Sequence, residues 1–192
     1  MRFTAGKRHI LFAVLVFSGA VAALIFLFNG PQRSGGLDRI RPSAPTIRRQ
    51  QLTKSNVHLY FADKDNSFLA SEERALFHAD DPAHLAESII NALIKGPQAE
   101  LMRTLPADTA LRALYVTPDG VGYIDLTADV HEKHPGGSQS ELLTIYSIVN
   151  SLILNVPEIK RVKILIGGQE SQTLAGHVDI RFPVRAKMLL IR

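Results

Sequence analysis

Ile10 to Phe28 is a run of 19 residues, ILFAVLVFSGAVAALIFLF, without a single charge. As a helix it spans about 28 Å, close to the hydrocarbon thickness of a bilayer. It is apolar on every side, whereas a helix lying on a soluble core keeps one polar face. Arg2, Lys7 and Arg8 precede it, and positive charge is retained on the cytoplasmic side of a membrane. The expectation is a transmembrane anchor, with residues 1–9 in the cytoplasm and everything after Phe28 outside it. The rival reading is a cleaved signal peptide, because Ala20-Val21-Ala22 resembles a small-residue cleavage site. Leu24 to Phe28 continue the apolar run beyond that site, as an anchor requires.

The chain is 192 residues long and 46% apolar, which leaves room for one domain of about 130 residues plus an extension. Its net charge of +4 is unevenly spread: +3 in the first ten residues and +5 in residues 29–54, leaving residues 55–192 at −4. Nucleic-acid binding concentrates Lys and Arg on the folded surface, so a mildly acidic domain argues against it. Cysteine is absent. This excludes a disulfide framework, a cysteine-based zinc site, a thiol nucleophile and a lipid-modified cysteine anchor. Residues 29–54, dense in Pro, Gly, Ser and Arg, read as a flexible basic linker. Solvation accounts for its scattered arginines, with attraction to anionic headgroups as the sharper alternative.

Beyond the linker, apolar Val57, Leu59 and Phe61 alternate with His58, Tyr60 and Ala62, which predicts a half-buried strand. A second strand is expected over Arg74–His78. Asp80 and Asp81 stand where an N-cap belongs, with Pro82 beside them. Leu85, Ile89, Ile90, Leu93 and Ile94 then recur at helical spacing as far as Gly96-Pro97. Leu111–Thr117 and Val121–Leu126 flank Pro118-Asp119-Gly120, a hairpin by composition. After a loop, Ser138-Gln139-Ser140-Glu141 has the pattern of a capping box. The helix that follows carries Leu142, Leu143, Ile145, Ile148, Val149, Leu152 and Ile153 in a wide stripe. Val162, Ile164 and Ile166 make a last strand, closed by Gly167-Gly168. The expected class is α+β: a two-layer sandwich of two helices on one face of a mixed, largely antiparallel sheet.

Asp63, Asp65 and Ser67 imitate the start of a calcium loop, yet Phe68 and Arg74 stand where Gly and a bidentate Glu are required. A polar turn is expected. His78, Asp80, Asp81 and His84 carry zinc-type ligands without helical spacing, so a helix cap is expected. His131 and His134 read as solvated loop histidines. His177 and Asp179 share a side if their segment is a strand and form a His-carboxylate pair there. No nucleophile elbow, H-E-x-x-H helix or P-loop accompanies them. No catalytic, cofactor-binding or metal residue is therefore assigned, and no cofactor is expected.

The order of several phrases is informative: Val57-His58-Leu59-Tyr60-Phe61, Glu73-Arg74, Ile94-Lys95-Gly96-Pro97, Leu105-Pro106, Val121-Gly122-Tyr123-Ile124-Asp125-Leu126, Arg161 to Gly168, and Thr173 to Asp179. Over about Asn56 to Pro183, they resemble the GerMN domain family, which takes its name from the bacterial sporulation and germination protein GerM. The resemblance implies a non-enzymatic domain, at residues 55–183, exposed outside the cytoplasmic membrane and similar to ring-building modules of secretion systems. GerM itself carries tandem domains and a lipoprotein anchor, whereas here there is one such domain and no cysteine. A general cell-envelope role is the expectation carried forward, with residues 184–192 as a final strand or partner-binding tail.

Two functions follow. The first is a membrane-anchored interaction module that associates with itself or another envelope protein, with no nucleic acid or small-molecule substrate. The second is a peptidoglycan-binding or hydrolytic domain that uses His177 and Asp179, or a cleft of Tyr60, Tyr123 and Tyr146. For those tyrosines the plainer expectation is Tyr146 in the core and Tyr60 paired with Tyr123.

Overall fold

The structure, a computed structural model, describes residues 52–192. The expected cytoplasmic N-terminus, the Ile10–Phe28 anchor and the linker as far as Gln51 lie outside the described residues. Among the described residues no helix is long and apolar enough to cross a membrane.

Strands β1 (Leu52–Ala62) and β2 (Leu69–Ala79) form an antiparallel ribbon in continuous register, with Val57 opposite Arg74 and Leu59 opposite Glu72. Helix α1 spans Pro82–Lys95, and β3 (Leu111–Val116) and β4 (Val121–Leu126) make a hairpin. A single turn, α2 (Asp129–Glu132), precedes the long helix α3 (Ser138–Ile153). β5 (Arg161–Ile166) then pairs parallel with β4, and β6 (Gln169–Glu170) closes the far edge. The expectation of one sheet is corrected. There are two, the ribbon β1-β2 and a four-stranded sheet in the order β3-β4-β5-β6. The α+β class holds, but α1 and α3 each pack against strands of both sheets and against each other. Two helices with wide apolar stripes can bury more surface between two sheets than on one.

The core follows the apolar pattern. Val57, Leu59 and Phe61 of β1, Ile89, Ile90 and Leu93 of α1, Ile145, Ile148 and Leu152 of α3, and Ile164 of β5 are all buried in one cluster. β1 departs from a half-buried strand near its end. Tyr60 and Ala62 are also buried, in a second cluster with Leu69 and Leu143 against which Leu190 and Ile191 pack. The C-terminal segment is therefore part of the folded body. Val184 bridges Val162, Lys187 and Asn150 exchange two hydrogen bonds, and the Arg192 amide donates to the Leu69 carbonyl at 2.9 Å. Met188–Leu190 form a short 3₁₀ turn.

Local signals explain several boundaries. Asp81 caps α1, its carboxylate accepting from the amides of Ala83 (2.7 Å) and His84 (3.3 Å), with Pro82 at the first helical position. Gly96 ends the helix with φ of 88°. Four C-terminal carbonyls of α1 are taken up by arginines: Ala92 and Gly96 by Arg74, Ile94 and Lys95 by Arg103. The Pro118-Asp119-Gly120 turn forms as expected. Gly120 has φ of 83°, and a Cβ there would lie 2.9 Å from the Glu158 carbonyl, so glycine is required twice over.

α3 closes the outer edge of β1 with side chains instead of a strand. Asn155, just beyond the helix, accepts from the His58 amide at 2.9 Å and donates to the His58 carbonyl at 2.8 Å. Ser151 accepts from the Tyr60 amide and Ser147 donates to the Tyr60 carbonyl. Residues 147, 151 and 155 recur at a four-residue interval and so stand on one face. Because Ser147 is fully buried and also accepts from Thr104, Ser147→Val should strand both the Tyr60 carbonyl and the Thr104 hydroxyl. A loss of about 2–4 kcal/mol is expected in denaturant unfolding.

Candidate functional site

Several of the groups singled out in the sequence have a structural partner. Asp63 accepts from the amides of Ser67 (2.7 Å) and Phe68 (3.2 Å), and Asn66 adopts a positive φ of 52°. The segment is the expected polar turn. Asp81 is the helix cap already described, while His78 lies buried between the Ser55 hydroxyl (2.9 Å) and the Ala79 carbonyl (2.6 Å). Tyr123 lies opposite Tyr115, not Tyr60, which belongs to the ribbon opposite Ser71. Tyr146 packs partly buried against both apolar clusters. An open cleft of about 700 Å³ is lined by Tyr115, Pro118, Pro157, Glu158 and Lys160. None of the three tyrosines expected to form a cleft lines it.

The largest correction concerns Glu141. It does not form a capping box, because α3 has Gly137 at its N-cap and no side-chain cap. Glu141 is instead fully buried one turn into the helix, and its carboxylate holds the loop 174–178. It accepts from the amides of Leu174 (3.0 Å), Ala175 (2.8 Å), His177 (2.8 Å) and Val178 (3.1 Å), and lies 3.1 Å from Nδ1 of His177. Burial alone would push the Glu141 carboxyl up; the amides of Ala175, Val178 and His177 and the His177 ring outweigh it, and the net displacement is downward. A buried carboxylate is tolerable there because four backbone amides and the His177 ring meet its two oxygens.

The histidines around this carboxylate are committed as well. His131 donates from Nδ1 to the Leu174 carbonyl at 2.7 Å. His134 accepts the Gly136 amide at Nδ1 and meets the Thr144 hydroxyl through Nε2, both at 3.0 Å. Neither is a merely solvated loop residue. Burial is the leading cause holding His134 below its ordinary value, so the ring favours its neutral form.

The His177 and Asp179 pair does not form. Thr173 and Asp179 make one isolated bridge, and no strand runs through the segment. His177 turns to Glu141, whereas Asp179 forms a fork with Arg181 at 2.7–3.1 Å that holds the Asp179 carboxyl down to about 2. Among the described residues no group of three or more His, Asp or Glu side chains is arranged to hold a metal ion.

Several large apolar side chains stand at the surface. Phe77 on β2 is 64% exposed, Tyr115 on β3 62%, Phe182 72% and Leu189 85%. Single exposed apolar residues need no explanation.

A β-ribbon and a mixed sheet holding two long helices between them define a small α+β domain of the GerMN kind. Residues 58–172 match the family model Germane, described as sporulation and spore germination, and the chain belongs to that family. Its fold is similar to the first GerMN domain of the sporulation protein GerM from Bacillus subtilis, with a TM-score of 0.57 at 20% identity over 68% of this chain and 97% of that one. The tandem GerMN domains of the same protein give a TM-score of 0.55 at 18% identity, covering 68% of this chain and 46% of theirs. A Clostridium perfringens protein described as a candidate lipoprotein shares 27% identity, with a TM-score of 0.51, over 69% of this chain and 87% of that one. Curated proteins yield no match to this chain. The family expected from the sequence is the family found.

Proposed function

We propose that this chain is a membrane-anchored, extracytoplasmic envelope protein whose GerMN-type domain works without catalysis, by contact with copies of itself or with another envelope protein. The observation that carries this reading is the state of the polar residues. His78, His131, His134 and His177, which carried chemical potential in the sequence, and the buried Glu141 are hydrogen-bonded within the fold, while large apolar side chains stand free at the surface. The uncharged run Ile10–Phe28 with cations before it supports anchoring with the domain outside. The Clostridium neighbour described as a candidate lipoprotein supports an envelope location, reached there by a different anchor. Family membership supports a role in sporulation or germination assemblies, or their counterpart in a general envelope.

The competing peptidoglycan reading makes a separate demand on His177. Purified full-length chain incubated with cell-wall sacculi should release no soluble fragments, and His177→Ala should leave sacculus binding as it is in the wild type. Fragment release that disappears in His177→Ala would replace the interaction module with a hydrolase. Protease added to intact, outer-layer-permeabilised cells should degrade the domain; protection until the cytoplasmic membrane is broken would refute the topology.

A further inference from the structure

The two edges of the ribbon are treated differently by the rest of the fold. Along β1, the amides and carbonyls of His58 and Tyr60 point away from β2 and are met by Asn155, Ser151 and Ser147. Val57 and Leu59 therefore face β2, and their partners Arg74 and Glu72 face back. By alternation, the backbone groups of Ser71, Glu73 and Ala75 point outward. Among the described residues no hydrogen bond satisfies them. The flank of α1, with Asn91 and Lys95, stands back from this edge across a groove of about 560 Å³, while the Ser88 hydroxyl reaches the outward carbonyl of Phe77 at 3.5 Å. An eleven-residue strand open along its middle is a template for another strand.

We infer that β2 is the edge at which a second copy of this chain joins, β2 against β2 in antiparallel pairing across a two-fold axis at Ala75. This inference rests on the reading of the domain as a self-associating envelope module. The occupant follows from the strand's self-complementarity. Centring on Ala75 puts the smallest side chain of the exposed row on the axis, flanked in each copy by the small polar Asn56. Glu73 then lies opposite Phe77 of the second copy, whose ring already carries Lys54 at 6.0 Å on its other side. In this register each Glu73, whose carboxylate accepts from Asn56 of its own copy at 3.0 Å, stands across the Phe77 ring from the other copy's Lys54, and the two Glu73 side chains stay well apart. Pairing centred on Glu73 would oppose like charges directly. A two-fold contact is also closed, so the open edge is consumed without extending into a fibre.

The absence of cysteine from the chain makes the test clean. Full-length Ala75→Cys, in membranes under mild oxidation, should form a disulfide dimer, because residues opposed in a hydrogen-bonded pair have Cα atoms about 5.5 Å apart, within disulfide reach. Glu73→Cys should crosslink on the order of tenfold more slowly, since its counterpart lies about 14 Å away along the strands. Ala75→Arg, which sets two cations on the axis, should give monomer in light scattering of the detergent-solubilised chain while keeping the wild-type circular dichroism spectrum, since loss of the dimer by itself lowers the unfolding midpoint. A monomeric wild-type chain, or equal crosslinking at positions 73 and 75, would overturn the two-fold pairing. Either result leaves the non-enzymatic envelope reading to be judged by the sacculus assay.

Discussion

Glu141→Ala is expected to cost roughly 3–5 kcal/mol, because it strands buried amides of the 174–178 loop at once and each orphaned donor costs about 1–3 kcal/mol before relaxation. In a domain of this size that corresponds to a drop of about 10–15 °C in the unfolding midpoint. Glu141→Gln should be intermediate, since it keeps one acceptor oxygen and turns an NH₂ group toward N–H donors. The same anchor fixes the pH response. Glu141 is depressed in the folded state, so its contribution is present above the ordinary value of 4.5 and is lost as pH falls through the lower folded value. His134 is also depressed, so the unfolded chain takes up its proton first, and stability begins to fall below the ordinary value of 6.5. Wild type should therefore weaken in two stages on acidification. Glu141→Gln should shrink the lower stage, to which the depressed Glu72 and Asp179 also contribute, and keep the upper one. A stability profile that is flat between pH 7 and 3.5 would contradict this account of the loop.

The second large effect is expected at Arg74. It is buried on β2, donates to the Glu72 carboxylate from Nε at 2.6 Å, and reaches the carbonyls of Ala92 and Gly96 at the end of α1. Its guanidinium also lies 5.6 Å from the centre of the Phe61 ring. Glu72 in turn accepts the amides of Gln98 (2.8 Å) and Ala99 (2.7 Å). Burial by itself raises the Glu72 carboxyl, and those amides together with Arg74 bring it below its ordinary value. Arg74→Met would leave a buried carboxylate without its cation and α1 without half of its C-terminal donors. A loss of about 3–5 kcal/mol in denaturant unfolding is expected. Glu72→Gln combined with Arg74→Met removes both charges and should recover a substantial part of that loss, a coupling that a double-mutant cycle reads directly. Additive effects of the two substitutions would show that the pair does not act as a unit.

The parts of the fold that were legible in the sequence are those where a local signal and the tertiary environment agree. Asp81 and Pro82 start α1 and Gly96 ends it, the hairpin turns at Gly120, and Val162, Ile164 and Ile166 lie in β5. β2 was only half visible because its polarity is inverted. Glu72, Arg74 and His78 point inward while Phe77 points out, and a pattern of apolar residues cannot register a strand whose inner face is an ion pair and a histidine. The Ser147, Ser151 and Asn155 stripe was hidden for the same reason: polar residues on a helix read as a solvated face, and only the position of β1 shows that they replace a neighbouring strand.

Glu141 is the instructive miss. Its spacing from Ser138 satisfied a local capping rule, but the loop that its carboxylate binds is 33 to 37 residues further along the chain. No local pattern contains that contact. The phrase Thr173 to Asp179 did carry a signal, since it belongs to the family resemblance, and its physical meaning is a loop that presents its amides to one carboxylate. His177 then reads as a partner of that carboxylate instead of a catalytic base.

The claim that the surface, and not an active site, performs the function is tested most directly by complementation. In a strain lacking this protein, His177→Ala and Ala75→Arg would be supplied at equal abundance and scored for restoration of the envelope or sporulation phenotype. His177→Ala should restore it fully and Ala75→Arg should fail while remaining folded in the membrane. Restoration by Ala75→Arg together with failure of a folded His177→Ala would contradict the account and return attention to chemistry at the 174–178 loop.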